Sequence, residues 1–188
     1  LMTSIASVIM IYFYGKFLFG ETIGLVASFL LSFFPLDVLY ATKFFSDVPS
    51  AFFAALSIFL FLKGEKEKVP TESNFMYIIS GLFLGISFSI REIAIFVILF
   101  YVAYILYNKK LKMSYGLIVI SFLLIMLLEM TFFYVKTGSP LYRFNSLSGH
   151  YVQDSLRVNF YGRLSFPEFF LAWPYVMFAN IQTGYFYA

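Results

Sequence analysis

Asp47 lies four positions after Lys43 in the stretch LYATKFFSDVPSAFF, and long apolar runs flank both residues. A carboxylate at such a boundary can take a proton from a substrate hydroxyl or help to hold a metal. It can also serve the backbone. SDVP reads as a Ser or Asp N-cap followed by proline in the first turn, a device worth about 1 kcal/mol. The two roles are compatible. A second charged dipeptide, Arg91–Glu92, stands between two apolar segments with no polar padding. Charge placed at membrane depth costs about 2.5 kcal/mol or more and is usually paired or functional. This dipeptide reads either as an ion pair at an interface or as a guanidinium gripping an anionic head group, whose phosphate geometry it matches.

Arg143 and His150 follow in YVKTGSPLYRFNSLSGHY, where TGSP is a turn signal. A lone histidine is more often a hydrogen-bonded structural group than a metal ligand. Glu129 interrupts an apolar run near its end, either as a helix-to-helix hydrogen-bond partner or as part of a cavity. SFPE, at Ser165–Glu168, has capping-box spacing and reads as structural.

These groups are set in a chain of 188 residues, 61% apolar and 12% charged, with a mean hydropathy of +0.86. Soluble domains run about 45–50% apolar and about 25% charged. The composition is that of a polytopic membrane protein. Seven apolar segments are expected, at about Leu1–Tyr14, Thr22–Tyr40, Asp47–Leu62, Phe75–Ile90, Ile93–Tyr107, Tyr115–Tyr134 and Phe166 onward. They must be helices, because hydrocarbon offers backbone groups no partner outside their own turns. Continuous Phe, Leu and Ile runs exclude the alternation of a membrane barrel. The expected fold is an all-α polytopic integral membrane helix bundle, with the chain forming part of one transmembrane domain. The first residue falls inside an apolar run and so does the last, so the chain reads as a piece of a longer protein.

Charge sets the expected orientation. One set of alternate connections carries Lys16, then Lys63, Lys66 and Lys68, then Lys109, Lys110 and Lys112; the other carries Lys43 and Arg91 in its short loops. Seven cations against two place the first set in the cytoplasm by the positive-inside rule. Lys43, Asp47, Arg91, Glu92, Arg143 and His150 are then expected together on the outer face, with residues 135–165 forming an outer loop region. The connection KGEKEKVPTESN reads as a solvated linker of alternating charge. GLFLG, at Gly81–Gly85, is the small-residue spacing that lets helices approach closely.

No phosphate-binding P-loop, dinucleotide fingerprint, HExxH or nucleophile elbow is present. The scattered cations give nucleic-acid binding no support. The absence of cysteine removes disulfides and thiol chemistry.

In order, the features YFYGKFLFGETIGLVASFLLSFFPLDVLYATKFFSDVPSAFFAALSIFLFLKG, GLFLGISFSIRE and YVKTGSPLYRFN resemble the GT-C glycosyltransferases. The nearest branch contains protein O-mannosyltransferases and the 4-amino-arabinose lipid A transferases. The carrying residues are Gly15–Gly20, Pro35, Asp47-Val48-Pro49, Gly81, Gly85, Arg91, Thr137, Gly138, Pro140 and Leu141. The resemblance implies a membrane enzyme that moves a sugar from a polyprenyl-phosphate donor to an acceptor on the outer face. It often implies a divalent metal, and usually inversion at the anomeric carbon. Asp47 is then the catalytic candidate, matching the second acidic site of that family. The family's principal acidic motif belongs to an outer loop upstream of residue 1, so the fragment is expected to be inactive alone. Lys43, Arg91, Glu92, Arg143 and His150 are the candidate substrate-binding residues. The expected location is a multi-pass protein of a prokaryotic plasma membrane, with its active face extracytoplasmic. The rival readings are a transporter or flippase-like carrier of an anionic or lipid-linked substrate, and a non-catalytic scaffold. A carrier should show internal repeats and broken helices, and no repeat is visible.

Overall fold

A computed structural model describes residues 2–34, 46–109 and 112–145. Every regular element among them is helical. Helix α1 spans Met2–Phe19 and ends at Gly20, whose φ of 104° is a backbone state that suits glycine. Helix α2, Glu21–Ser32, starts at once, with Glu21 in the first turn where the helix dipole favours a carboxylate. The reversal folds α2 back on α1 so closely that a Cβ on Gly15 would sit 2.7 Å from the Gly24 Cα. The apolar run read as Thr22–Tyr40 is helical only to Ser32, followed by a turn at Phe33; its remainder lies outside the described residues.

Helix α3 spans Asp47–Lys66, and α4 spans Pro70–Ile90 with proline at its start, where no amide hydrogen is missed. Arg91 ends α4 by turning extended, at φ −150° and ψ 122°. A 3-10 turn, Glu92–Phe96, then leads into α5, Val97–Asn108. The expected single segment Ile93–Tyr107 is thus a tighter turn followed by an α-helix, a common way for helices to begin. A second 3-10 turn, Met113–Tyr115, precedes α6, Gly116–Thr137. Met2–Phe19, Asp47–Lys66, Pro70–Ile90 and Met113–Thr137 are long and apolar enough to cross a membrane, while Glu21–Ser32 and Glu92–Asn108 are shorter apolar helices. The seventh expected segment lies outside the described residues.

The antiparallel pair α3 and α4 is zipped by small polar residues at seven-residue intervals. Ser50 faces Ser87, Ser57 faces Ser80, and Ser73 donates to the Gly64 carbonyl at 2.8 Å. Seven-residue spacing keeps one seam facing a partner helix. In lipid, small residues and interhelical hydrogen bonds hold such seams, at about 0.6 kcal/mol per bond. Ser57 donates to the Ser80 carbonyl at 2.6 Å and Ser80 to the Ser57 carbonyl at 2.8 Å. Both hydroxyl hydrogens are therefore engaged, so the Tyr101 hydroxyl of α5, 3.0 Å from the Ser80 hydroxyl, acts as donor to this pair. Nearer the α3 C-terminus, the fully buried Phe61 packs against Tyr101, Tyr104, Tyr115 and Tyr77, with ring centroids 4.8 to 6.0 Å away.

The close approach expected of Gly81 and Gly85 is present. A Cβ on Gly81 would meet the Ile118 carbonyl of α6 at 2.3 Å, and one on Gly85 would meet the Ile125 Cβ at 2.6 Å. Two compact units divide the chain, Leu1–Glu129 and Met130–Ala188. In the second, α6 closes at Gly138, whose φ of 76° and hydrogen bond to the Tyr134 carbonyl form a glycine cap. The TGSP turn is thus realised.

Candidate functional site

The seam that zips α3 to α4 also sets what happens at its end. Ser50 pairs with Ser87, so Asp47, three residues before one, is brought beside Arg91, four residues after the other. The Arg91 Nε lies 3.0 Å from the Asp47 Oδ1, and Arg91 Nη1 donates to Ser46 Oγ at 3.4 Å. Both charged side chains remain partly exposed, 44% for Arg91 and 42% for Asp47. A guanidinium has five N–H donors, and these contacts engage two of its nitrogens, Nε and Nη1.

This pairing revises two readings. The capping role expected from SDVP is not what the structure shows, because no side-chain bond caps α3 and Asp47 is its first residue. The Asp47 carboxylate is turned to the cation on α4. Arg91, which the sequence placed beside Glu92, has a carboxylate partner 44 positions earlier.

Asp47 lies at the mouth of two apolar grooves on either side of α3. One, of about 400 Å³, runs between α1, α2 and α3 and is lined by Met10, Ile11, Leu31 and Phe52. The other, of about 500 Å³, is lined by Ala54 and Ile58 of α3, and by Ile93, Val97 and Phe100 on the chain that continues from Arg91. The arrangement suits an amphiphile with an anionic head and a long apolar tail.

Lys43 and His150 lie outside the described residues. Arg143 stands in the second compact unit, in a helical turn at residues 142–145 that follows the Gly138 cap. Glu92 opens the 3-10 turn after Arg91. Glu129 is a helix-to-helix partner: Ser89 Oγ of α4 donates to its Oε2 at 2.7 Å.

At the opposite end of α3 stands a second cluster, which sequence reasoning took for solvated linker. Glu65, only 12% exposed at its side chain, accepts from the Tyr77 hydroxyl, from the Tyr115 hydroxyl at 2.9 Å, and from Lys112 at 3.1 Å through both oxygens. Lys66 donates to the Phe17 carbonyl at 3.2 Å, and its Nζ lies 3.9 Å from the Phe17 ring centroid. Helix α3 runs to Lys66, so these charges are helical side chains facing other helices. For Lys112, burial alone would lower the pKa. Its hydrogen bonds to Glu65 and Tyr77, with the Glu65 charge, outweigh this and raise it above the ordinary 10.5.

A divalent metal needs several oxygen or nitrogen ligands converging on one point. Among the described residues no three His, Asp or Glu side chains gather in that way, and Asp47 already has a guanidinium as its counter-ion. The described residues do not fit a metal centre.

The helices and this site define a membrane helix bundle in which a carboxylate lining two apolar grooves is paired with a guanidinium. The family model described as dolichyl-phosphate-mannose-protein mannosyltransferase matches residues 1–134, and the chain belongs to that family of membrane glycosyltransferases, which use polyprenyl-phosphate-linked sugar donors. No curated protein and no solved structure matches the chain.

Proposed function

We propose that the Asp47 and Arg91 end of α3 and α4 is part of the active site of a glycosyltransferase. In this reading a sugar passes from a polyprenyl-phosphate-linked donor to an acceptor hydroxyl on the outer face. The observation that carries it is that Asp47, 3.0 Å from the Arg91 guanidinium, lines two apolar grooves. The acceptor oxygen attacks the anomeric carbon, and the bond from that carbon to the phosphate oxygen breaks with inversion. The polyprenyl phosphate leaves with the electron pair, and the hydroxyl proton goes to a carboxylate.

Arg91 serves the leaving group. A guanidinium bonded to Asp47 through Nε still directs further N–H groups at a phosphate, where charge develops as the bond breaks. Asp47 is the second-site carboxylate that orients Arg91 beside the reacting groups. The polyprenyl chain lies in the groove lined by Asp47, Ile93 and Phe100, whose wall is formed in part by the residues that follow Arg91 in the chain. Lys43, Glu92, Arg143 and His150 contribute to binding. The branch of protein O-mannosyltransferases and 4-amino-arabinose lipid A transferases, and a prokaryotic plasma membrane with an extracytoplasmic site, complete this reading.

The test is Asp47→Asn in the full-length protein, assayed for transfer from polyprenyl-phosphate-linked mannose with expression and folding monitored. A large loss of transfer by a well-folded variant is expected. Wild-type transfer would reduce Asp47 to a structural partner of Arg91.

A further inference from the structure

We propose that Glu129 is a positioning residue for Arg91, acting through Ser89, an inference that rests on the glycosyltransferase reading above. Arg91 is the pivot at which α4 stops. Its amide still donates to the Ser87 carbonyl at 2.9 Å, and its own carbonyl accepts from the Ala94 amide at 3.1 Å, opening the next turn. A residue with extended backbone between two helical segments takes its direction from whatever holds the last turn before it.

That last turn is held from two sides. Toward α3, Ser87 Oγ donates to the Ser50 carbonyl at 2.7 Å. Toward α6, Ser89 Oγ donates to Glu129 Oε2 at 2.7 Å. Serine in a helix commonly turns its hydroxyl back to its own chain's carbonyl one turn earlier; Ser89 instead reaches across to another helix. One turn below, Gly85 already brings α4 against Ile125, so the Ser89 and Glu129 contact is the next α6 tie toward Arg91. A carboxylate within an apolar helix is costly, and such residues usually mark a function. Holding Arg91 toward Asp47 supplies one.

The experiment compares Glu129→Leu, Glu129→Gln and Ser89→Ala, alone and combined with Arg91→Ala, in the full-length protein with polyprenyl-phosphate-linked mannose as donor. Glu129→Leu and Ser89→Ala should each raise the donor KM about fivefold, equivalent to about 1 kcal/mol, and change kcat by less than about twofold. The double variant should be no worse than either single one, because both remove the same bond. Glu129→Gln keeps an acceptor for Ser89 and should restore the wild-type KM. In the Arg91→Ala background, Glu129→Leu should change nothing further. Hydrogen exchange of the Arg91 and Ala94 amides should quicken in Glu129→Leu and stay at the wild-type rate in Glu129→Gln. That measurement needs no turnover, so it judges the positioning role even if the protein transfers no sugar. Unchanged exchange, a fall in kcat alone, or an effect undiminished by Arg91→Ala overturns the proposal. If Glu129→Leu fails to assemble, Ser89→Ala carries the same comparisons.

Discussion

Ser50 and Ser87 exchange hydrogen bonds, each hydroxyl donating to the other's carbonyl at 3.2 and 2.7 Å, one turn away from Asp47 and Arg91. Both serines are buried. The register they fix is the register that unites the two charges, so the site's geometry is decided inside the seam. Ser87→Ala should destabilise the protein by about 1 kcal/mol through the lost bond. Ser57→Leu, at a fully buried point of the same seam, should cost roughly 1–3 kcal/mol by overpacking. Thermal unfolding in detergent measures both; a Ser57→Leu protein as stable as wild type would mean the seam is not tightly packed.

Arg91→Ala should raise the donor KM by about tenfold or more, while Arg91→Lys should recover only part of it, since a point charge does not reproduce the planar fork. Steady-state kinetics with polyprenyl-phosphate-linked mannose gives the split. An unchanged KM in Arg91→Ala would remove the phosphate-gripping role.

Gly81→Ala forces a Cβ to within 2.3 Å of the Ile118 carbonyl, whereas Gly116→Ala meets nothing within 4 Å. The first should lose roughly 1–3 kcal/mol, and the second should be neutral or slightly stabilised by the gain in helix propensity. Equal unfolding temperatures for the two variants would show that α4 and α6 are not in backbone contact.

Alkaline pH probes the other end of α3. The folded-state pKa of Lys112 lies above its ordinary 10.5, because the Glu65 contacts favour the charged form. Its contribution is therefore full below about pH 10.5 and is lost as pH rises through the elevated value. Lys112→Met should be less stable than wild type at pH 9, and the difference should shrink at higher pH. A constant gap between the two unfolding curves would mean that Lys112 contributes by packing alone.

Side-specific labelling tests the orientation. The chain has no cysteine, so Glu92→Cys and Lys109→Cys can be placed singly in the full-length protein after any cysteine outside these residues is replaced by serine. A membrane-impermeant thiol reagent should reach position 92 from outside intact cells, and position 109 only after permeabilisation. The opposite pattern would move the proposed site to the cytoplasmic face.

The helices were legible because hydrocarbon leaves the backbone no alternative, and Gly81, Gly85 and the TGSP turn were legible because small residues and turn residues act locally. The partnership of Asp47 with Arg91 was not legible. It depends on the register between α3 and α4, and a shift of one residue would have put other side chains opposite. A signal for that register was present all the same: Ser50, Ser57 and Gly64 recur every seven residues, as do Ser73, Ser80 and Ser87. Glu65 was misread because its neighbours in sequence are charged, whereas its partners Tyr77, Lys112 and Tyr115 come from other parts of the chain. Lys43 and His150 lie outside the described residues, and Arg143 belongs to the second compact unit.

The α3–α4 seam also bears on how the chain enters the membrane. Asp47 and Arg91 mark the two ends of one helical hairpin, contiguous in sequence and self-complementary along its length. In the proposed orientation both charges must be carried through hydrocarbon to the far surface, where each alone is costly to move. A hairpin that zips before or during insertion carries them as a pair with no net charge. The same contacts that aim Arg91 in the finished protein would then lower the barrier to its delivery.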